Sequence, residues 1–122
     1  MSAPETNFDQ EWNAAELEVS VAMTHAMRTA GAPFVLVDCR GEDEHDLCRL
    51  EPSVLLPMDE LDDRLELLDG RENDRIIVYC RSGRRSLFVA SALRARGFAH
   101  AKSMAGGILA WSRDIDPSIP QY

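Results

Sequence analysis

Arg75-Ile76-Ile77-Val78-Tyr79-Cys80-Arg81-Ser82-Gly83-Arg84-Arg85-Ser86 is the stretch whose reading decides the fold. Its apolar part is the most β-branched run in the chain, preceded by the polar turn 71–74 and followed by a glycine-containing loop, as expected of a short strand covered on both faces. Beyond the loop, Leu87, Val89, Ala90 and Leu93 recur at helical spacing with Ala92 and Ala95, and Gly97 ends the pattern. Residues 80–86 therefore join the carboxyl end of a buried strand to the start of a helix.

The same alternation continues outward. On the N-terminal side, Leu17-Glu18-Val19-Ser20 reads as a short strand, with Ser20 capping a helix over 21–30 that Gly31 and Pro33 stop. Phe34-Val35-Leu36-Val37 reads as a central parallel strand. The acidic turn Glu42, Asp43, Glu44 then leads into a short helix, and Val54-Leu55-Leu56 forms a further strand closed by Pro57. Met58, Leu61, Leu65 and Leu68 recur at spacings of three or four and predict an amphipathic helix facing the core. On the C-terminal side, 101–104 is a last strand, Gly106-Gly107 opens a final helix with Ile108, Leu109 and Trp111, and Pro117 and Pro120 mark an irregular tail. Strands alternating with helices predict an α/β domain with a parallel central sheet of about five strands flanked by helices on both faces, its ligands lying beyond the carboxyl ends of the strands. Residues 1–15 read as a polar, flexible N-terminal segment and 16–122 as the single domain.

At 122 residues and 45% apolar composition, the chain has the material for one core, which excludes disorder for most of it. No apolar run approaches the ~20 residues of a membrane span. The first dozen residues lack the basic start and apolar middle of a secretory signal, so the expected location is the cytoplasm. Cys39, Cys48 and Cys80 contain no C-x-x-C pair and fit neither a disulfide framework nor a zinc site; no metal is expected. The net charge of -8 is unevenly placed: 75–113 contains no Asp or Glu and holds Arg75, Arg81, Arg84, Arg85, Arg94, Arg96, Lys102 and Arg113. Overall acidity excludes a broad nucleic-acid face, and the local basic segment suits a small anion.

Cys80 stands at the focus of that segment. Backbone N–H groups of a strand-to-helix loop can converge on whatever Cys80 carries, and Gly83 permits a positive φ or a close approach. The helix dipole and Arg81, Arg84 and Arg85 favour thiolate over thiol, while Ser82 and Ser86 can donate hydroxyl hydrogen bonds to the same group. Cys80 is thus a candidate nucleophile needing no histidine base, against the alternative of an inert buried cysteine. His25, His45 and His100 read as surface or packing residues, and Cys39 and Cys48 as packing residues.

These residues resemble the rhodanese (sulfurtransferase) family over roughly 17–115. Asp38-Cys39-Arg40 resembles its D-x-R, 44–57 its E-x-x-x-G-H-I-x-G-A-x-x-I-P stretch, 80–86 its C-R-S-G-x-R-S catalytic loop, and Gly106-Gly107 with Trp111 its G-G-x-x-x-W. Cys48-Arg49-Leu50 stands where G-H-I is usual, and Pro52-Ser53 where G-A is usual. That stretch and the tail 111–122 are similar to the C-terminal rhodanese domains of enzymes that activate ubiquitin-like sulfur-carrier proteins. The resemblance implies transfer of a sulfane sulfur from thiosulfate or a persulfide donor through a Cys80 persulfide, with no separate cofactor and with either a small thiophilic acceptor or a protein sulfur carrier. It gives Arg81, Ser82, Gly83, Arg84, Arg85 and Ser86 to the anion-binding loop. Asp38 and Arg40 would orient that loop through ion pairs, or serve merely as a turn cap and a solvated charge. A cysteine phosphatase or arsenate reductase on the same fold expects C-x5-R, which places Ser86 where the arginine belongs; a non-catalytic rhodanese-like binding module is the remaining alternative.

Overall fold

The computed structural model describes residues 6–122. Five strands, β1 (Glu18–Val19), β2 (Val35–Asp38), β3 (Val54–Leu55), β4 (Ile76–Tyr79) and β5 (Ala101–Met104), form one wholly parallel sheet in the order β1-β5-β4-β2-β3. The most β-branched run supplies the middle strand, with Ile76, Ile77, Val78 and Tyr79 all buried. From β2 the chain moves outward to β3, whereas from β4 it moves the opposite way to β5. The loops leaving β2 and β4 therefore part at the carboxyl edge, the topological switch point at which parallel α/β sheets hold ligands.

The helices are α1 (Thr6–Glu11), α2 (Val21–Ala30), α3 (Glu42–Leu47), α4 (Arg84–Ala95) and α5 (Gly107–Asp114). Ser20 caps α2 by accepting the Met23 N–H at 2.9 Å, and Gly31 ends it at φ 74°. One face of the sheet packs Leu36, Ile77, Tyr79 and Met104 beneath α2 and α5, with Met27, Ile108 and Trp111. The other packs Val37, Cys39, Val78 and Cys80 against Val89, Ala90 and Leu93 of α4.

Residues 58–68 do not form the predicted amphipathic helix. Two short 3-10 turns, Met58–Glu60 and Leu65–Leu68, replace it, although Leu61 and Leu68 still enter the core. Asp59, Glu60, Asp62 and Asp63 crowd one stretch with like charges, and aspartate side chains compete for backbone groups, so the apolar stripe seats without a regular helix. Leu87, read as part of the inward stripe of α4, is 38% exposed, and Ser86 takes the inward position instead. In the N-terminal lead-in, Trp12 is buried beneath Arg75, whose guanidinium lies 5.1 Å from the ring centroid, and Lys102 Nζ, at 4.7 Å. The part of that lead-in read over residues 1–5 lies outside the described residues.

Candidate active site

Cys80 is the first residue beyond β4, and its sulfur sits in a pocket of hydrogen-bond donors. The Gly83 N–H donates to Cys80 Sγ at 3.1 Å and the Ser86 N–H at 3.3 Å, with Ser86 Oγ at 3.4 Å. Ser86 Oγ also lies 2.7 Å from Ser103 Oγ on β5, both side chains being fully buried. With the sulfur as thiolate, a chain of hydroxyls runs from Ser103 through Ser86 to Sγ.

The loop keeps this shape because its carbonyls are held from behind. The Ile108 N–H donates to the Cys80 carbonyl at 2.9 Å and the Leu109 N–H to the Arg81 carbonyl at 3.1 Å, so the start of α5 turns both carbonyls away from the sulfur. Two glycines make the approach possible. Gly83 adopts φ 101°, and a Cβ on Gly107 would stand 2.4 Å from the Arg81 oxygen and 2.6 Å from that of Cys80. Gly107 of the double glycine, legible in sequence as a helix start and as part of the G-G-x-x-x-W pattern, is thus a clamp on the loop.

These donors set the charge state of Cys80. Its pKa falls from the ordinary 9.0 to about 4, foremost through a hydrogen bond from the Cys39 thiol, with Ser86 and Gly83 adding theirs against the cost of burial. Cys39, in turn, is held strongly toward its protonated form by that hydrogen bond and by burial. The assignment of the negative charge to Cys80 follows from the geometry, since the two loop N–H groups aim at its sulfur.

The three loop arginines part company. Arg85 forms a bidentate pair with Glu44, Nη1 to Oε1 at 2.7 Å and Nη2 to Oε2 at 2.9 Å, which holds the Glu44 carboxyl down at about 2. Arg81 donates to the Tyr122 carbonyl at 2.5 Å and lies over its ring, while Arg84, at the exposed start of α4, has no acidic partner among the described residues. Ser82 is exposed, and none of its side-chain hydrogen bonds to Cys80 is present among the described residues.

Asp38 and Arg40 pair with each other and not with the loop. Arg40 Nε donates to Asp38 Oδ1 at 2.9 Å and Nη2 to Oδ2 at 2.8 Å, both side chains being fully buried. Tyr79 and His45 complete the shell around Asp38, the latter with Nδ1 2.8 Å from Oδ2, a more specific place than surface or packing. The route to the loop is indirect: Arg40 Nη1 donates to the Tyr122 hydroxyl at 2.8 Å, which donates to Glu44 Oε2 at 2.7 Å, and Glu44 holds Arg85. The sequence marks Glu44 and Tyr122 as parts of the family-like stretches 44–57 and 111–122, with no role at the site, and assigns none to Ser103.

A parallel α/β domain with a cysteine thiolate cradled by loop amides at its switch point defines a class of thiol-dependent anion-loop proteins. Within that class, the rhodanese-like domain model matches residues 20–114, and the chain belongs to the rhodanese-like domain family. It is 34% identical over 97 residues to the adenylyltransferase and sulfurtransferase MOCS3-2 of Zea mays, covering 75% of this chain and 20% of that protein. It is 32% identical over 114 residues to the adenylyltransferase and sulfurtransferase uba4 of Ogataea parapolymorpha, covering 92% and 28%. The chain thus spans well under a third of these relatives' length. Among solved structures, a rhodanese-like domain protein from Staphylococcus aureus superposes with a TM-score of 0.73 at 25% identity, covering 86% of this chain and 97% of that one. The human single-domain sulfurtransferase TSTD1 shares the fold, with a TM-score of 0.72 at 20% identity over 80% of this chain and 96% of that one.

Proposed function

We propose that the chain is a rhodanese-type sulfurtransferase acting through a persulfide on Cys80. The observation that carries this reading is the Cys80 sulfur held by the Gly83 and Ser86 N–H groups, which favour negative charge on it. The thiolate attacks the outer sulfur of thiosulfate; the S–S bond breaks, its electron pair leaves with sulfite, and Cys80 keeps the sulfane sulfur as a persulfide. A thiophilic acceptor then attacks the outer sulfur of that persulfide and regenerates the thiolate. A small persulfide serves as donor in the same way, with a thiolate as leaving group. Arg81 and Arg84 draw in the anionic donor, and no cofactor beyond the covalent persulfide takes part. The relatives' names, which pair adenylyltransferase with sulfurtransferase, support a protein sulfur carrier as acceptor. Three free cysteines support a reducing, cytoplasmic setting.

A phosphatase reading finds no support in the loop arginines, because Arg85 faces Glu44. A binding module has no need of a thiolate in a donor cradle. The test is sulfite released on mixing the protein with thiosulfate, and separately thiol released from glutathione persulfide. The wild-type chain is expected to release one equivalent in its first turnover and Cys80→Ser none. Release by neither protein from either donor overturns the reading.

A further inference from the structure

The register of the sheet brings a second sulfur to the active one. β2 and β4 pair in parallel with Val37 opposite Val78 and Asp38 opposite Tyr79. The ladder runs one step further, since the Cys39 N–H donates to the Tyr79 carbonyl at 3.0 Å, and this puts Cys39 beside Cys80. Side chains alternate along a strand, so Val37 and Cys39, like Val78 and Cys80, share the face covered by α4, where all four pack in one cluster. Neighbouring strands lie about 4.8 Å apart, inside the Cα separation of roughly 4.4–6.8 Å that a disulfide spans. Both cysteines are free, and each is only 1% exposed.

We propose that Cys39 is a resolving cysteine, which attacks the inner sulfur of the Cys80 persulfide to form a Cys39–Cys80 disulfide and expel the sulfane sulfur as sulfide. This rests on the persulfide reading above and gives the chain a second outlet besides transfer to an acceptor. The bond that forms joins Cys39 Sγ to Cys80 Sγ; the bond that breaks is Cys80 Sγ to the outer sulfur. Its electron pair leaves with the outer sulfur, which takes the proton given up by the Cys39 thiol and departs as hydrosulfide. No external oxidant enters, because the sulfane sulfur is itself reduced as the two thiols are oxidised. A dithiol reductant returns the pair to its starting state, one sulfide per turnover.

Three features fit Cys39 to this step. It stands beside the inner sulfur, the one whose attack gives a disulfide; attack on the outer sulfur would only move the persulfide from one cysteine to the other. It is already inside the buried site, whereas any external thiol must reach a sulfur that is 1% exposed. It is also quiet at rest: the Cys80 thiolate beside it keeps it protonated. Once Cys80 carries sulfur, negative charge moves to the outer atom, and that restraint on Cys39 relaxes. Cys48 has no such position, as its Sγ faces the Pro120 carbonyl at 4.0 Å.

The test is a single turnover of the full chain with thiosulfate, without reductant, followed by sulfite and sulfide assays, intact mass and peptide mapping under non-reducing conditions. The wild type is expected to release one sulfide per sulfite and to finish two hydrogens lighter, with the Cys39 and Cys80 peptides joined. Cys39→Ser, which keeps a hydroxyl donor, and Cys39→Ala are expected to stop one sulfur atom heavier, with sulfide release reduced at least tenfold; Cys48→Ser is expected to behave as wild type. Wild-type protein that releases sulfite, holds its added sulfur and yields no sulfide overturns the resolving role and leaves the sulfurtransferase reading standing. A disulfide joining Cys48 to Cys80 also overturns it. Absence of sulfite from thiosulfate, together with absence of glutathione release from glutathione persulfide, in every variant defeats the underlying persulfide reading instead.

Discussion

Replacing Gly107 with alanine tests whether the start of α5 shapes the sulfur cradle. Two costs separate cleanly. Gly107 adopts φ 63°, and a left-handed backbone in a residue with a Cβ costs about 1–2 kcal/mol. Gly31, at φ 74°, has nothing within 4 Å of its notional Cβ, so Gly31→Ala carries that cost alone. At Gly107 the new methyl also meets the Arg81 and Cys80 carbonyls at 2.4 and 2.6 Å. Those atoms are backbone, and relieving the overlap means lengthening the two hydrogen bonds from Ile108 and Leu109. Overpacking of this kind costs about 1–3 kcal/mol more. Gly107→Ala is therefore expected to lose clearly more stability in urea than Gly31→Ala. The shifted loop also carries the Gly83 and Ser86 N–H groups off the sulfur, so the pH midpoint of Cys80 alkylation should rise from about 4 toward the ordinary thiol value. Equal stability of the two variants, with the same pH profile of alkylation, refutes the clamp.

Cys39→Val removes the foremost cause of Cys80's low pKa, so the midpoint for thiolate absorbance should rise yet stay below that of a free thiol, because Gly83 and Ser86 still donate; an unchanged midpoint counts against the sulfur–sulfur hydrogen bond. Glu44, at about 2 in the folded chain against an ordinary 4.5, stabilises the fold fully above 4.5, and its contribution disappears as pH falls through about 2. Glu44→Gln should thus be less stable than wild type at neutral pH, with the gap closing as pH drops below 4.5 in parallel denaturation series. Asp38→Asn leaves the wholly buried Arg40 guanidinium without its countercharge, and chemical denaturation should show a loss of about 3–5 kcal/mol. Arg84→Ala should raise KM for thiosulfate while sparing kcat and stability, whereas Arg85→Ala should lower stability through loss of the Glu44 pair; steady-state kinetics and urea melts on both variants check the division.

The middle strand and its loop were legible because everything that specifies them is contiguous: four buried β-branched or aromatic residues, a cysteine at the strand end, and a glycine where φ turns positive. Residues 58–68 misled because apolar spacing records which side chains face the core and says little about the backbone that carries them there. The neighbourhood of Cys39 and Cys80 was hidden for a different reason. Their approach spans 41 positions and depends on β2 lying beside β4 in a register no local pattern states. Both cysteines do stand one residue past a strand in the sequence, and a parallel pairing of those two strands would have brought them together. Tyr122 and Glu44 share that non-local character, their hydroxyl and carboxylate meeting across 78 positions.

The acid-free segment 75–113 looks in sequence like a field built to attract anions, but the folded chain commits most of its charge elsewhere. Arg75 and Lys102 cover Trp12, Arg94 binds the Ala101 and Glu16 carbonyls, Arg96 pairs with Asp62, Arg113 with Asp114, and Arg85 with Glu44. Arg81 and Arg84 are the loop arginines left without an acidic partner among the described residues. Hydrogen bonds, more than diffuse positive charge, are therefore the foremost causes that keep Cys80 ionised, with Arg85 adding a coulombic interaction. The thiolate depends on the Gly83 and Ser86 N–H groups at 3.1 and 3.3 Å and on the neighbouring Cys39 thiol, which salt screens little because they are buried. In the proposed function, capture of an anionic donor would depend on the two exposed arginines, which salt screens well. The two functions of the loop thus have separate electrostatic origins: added salt should weaken donor binding while leaving the ionisation of Cys80 where the backbone put it.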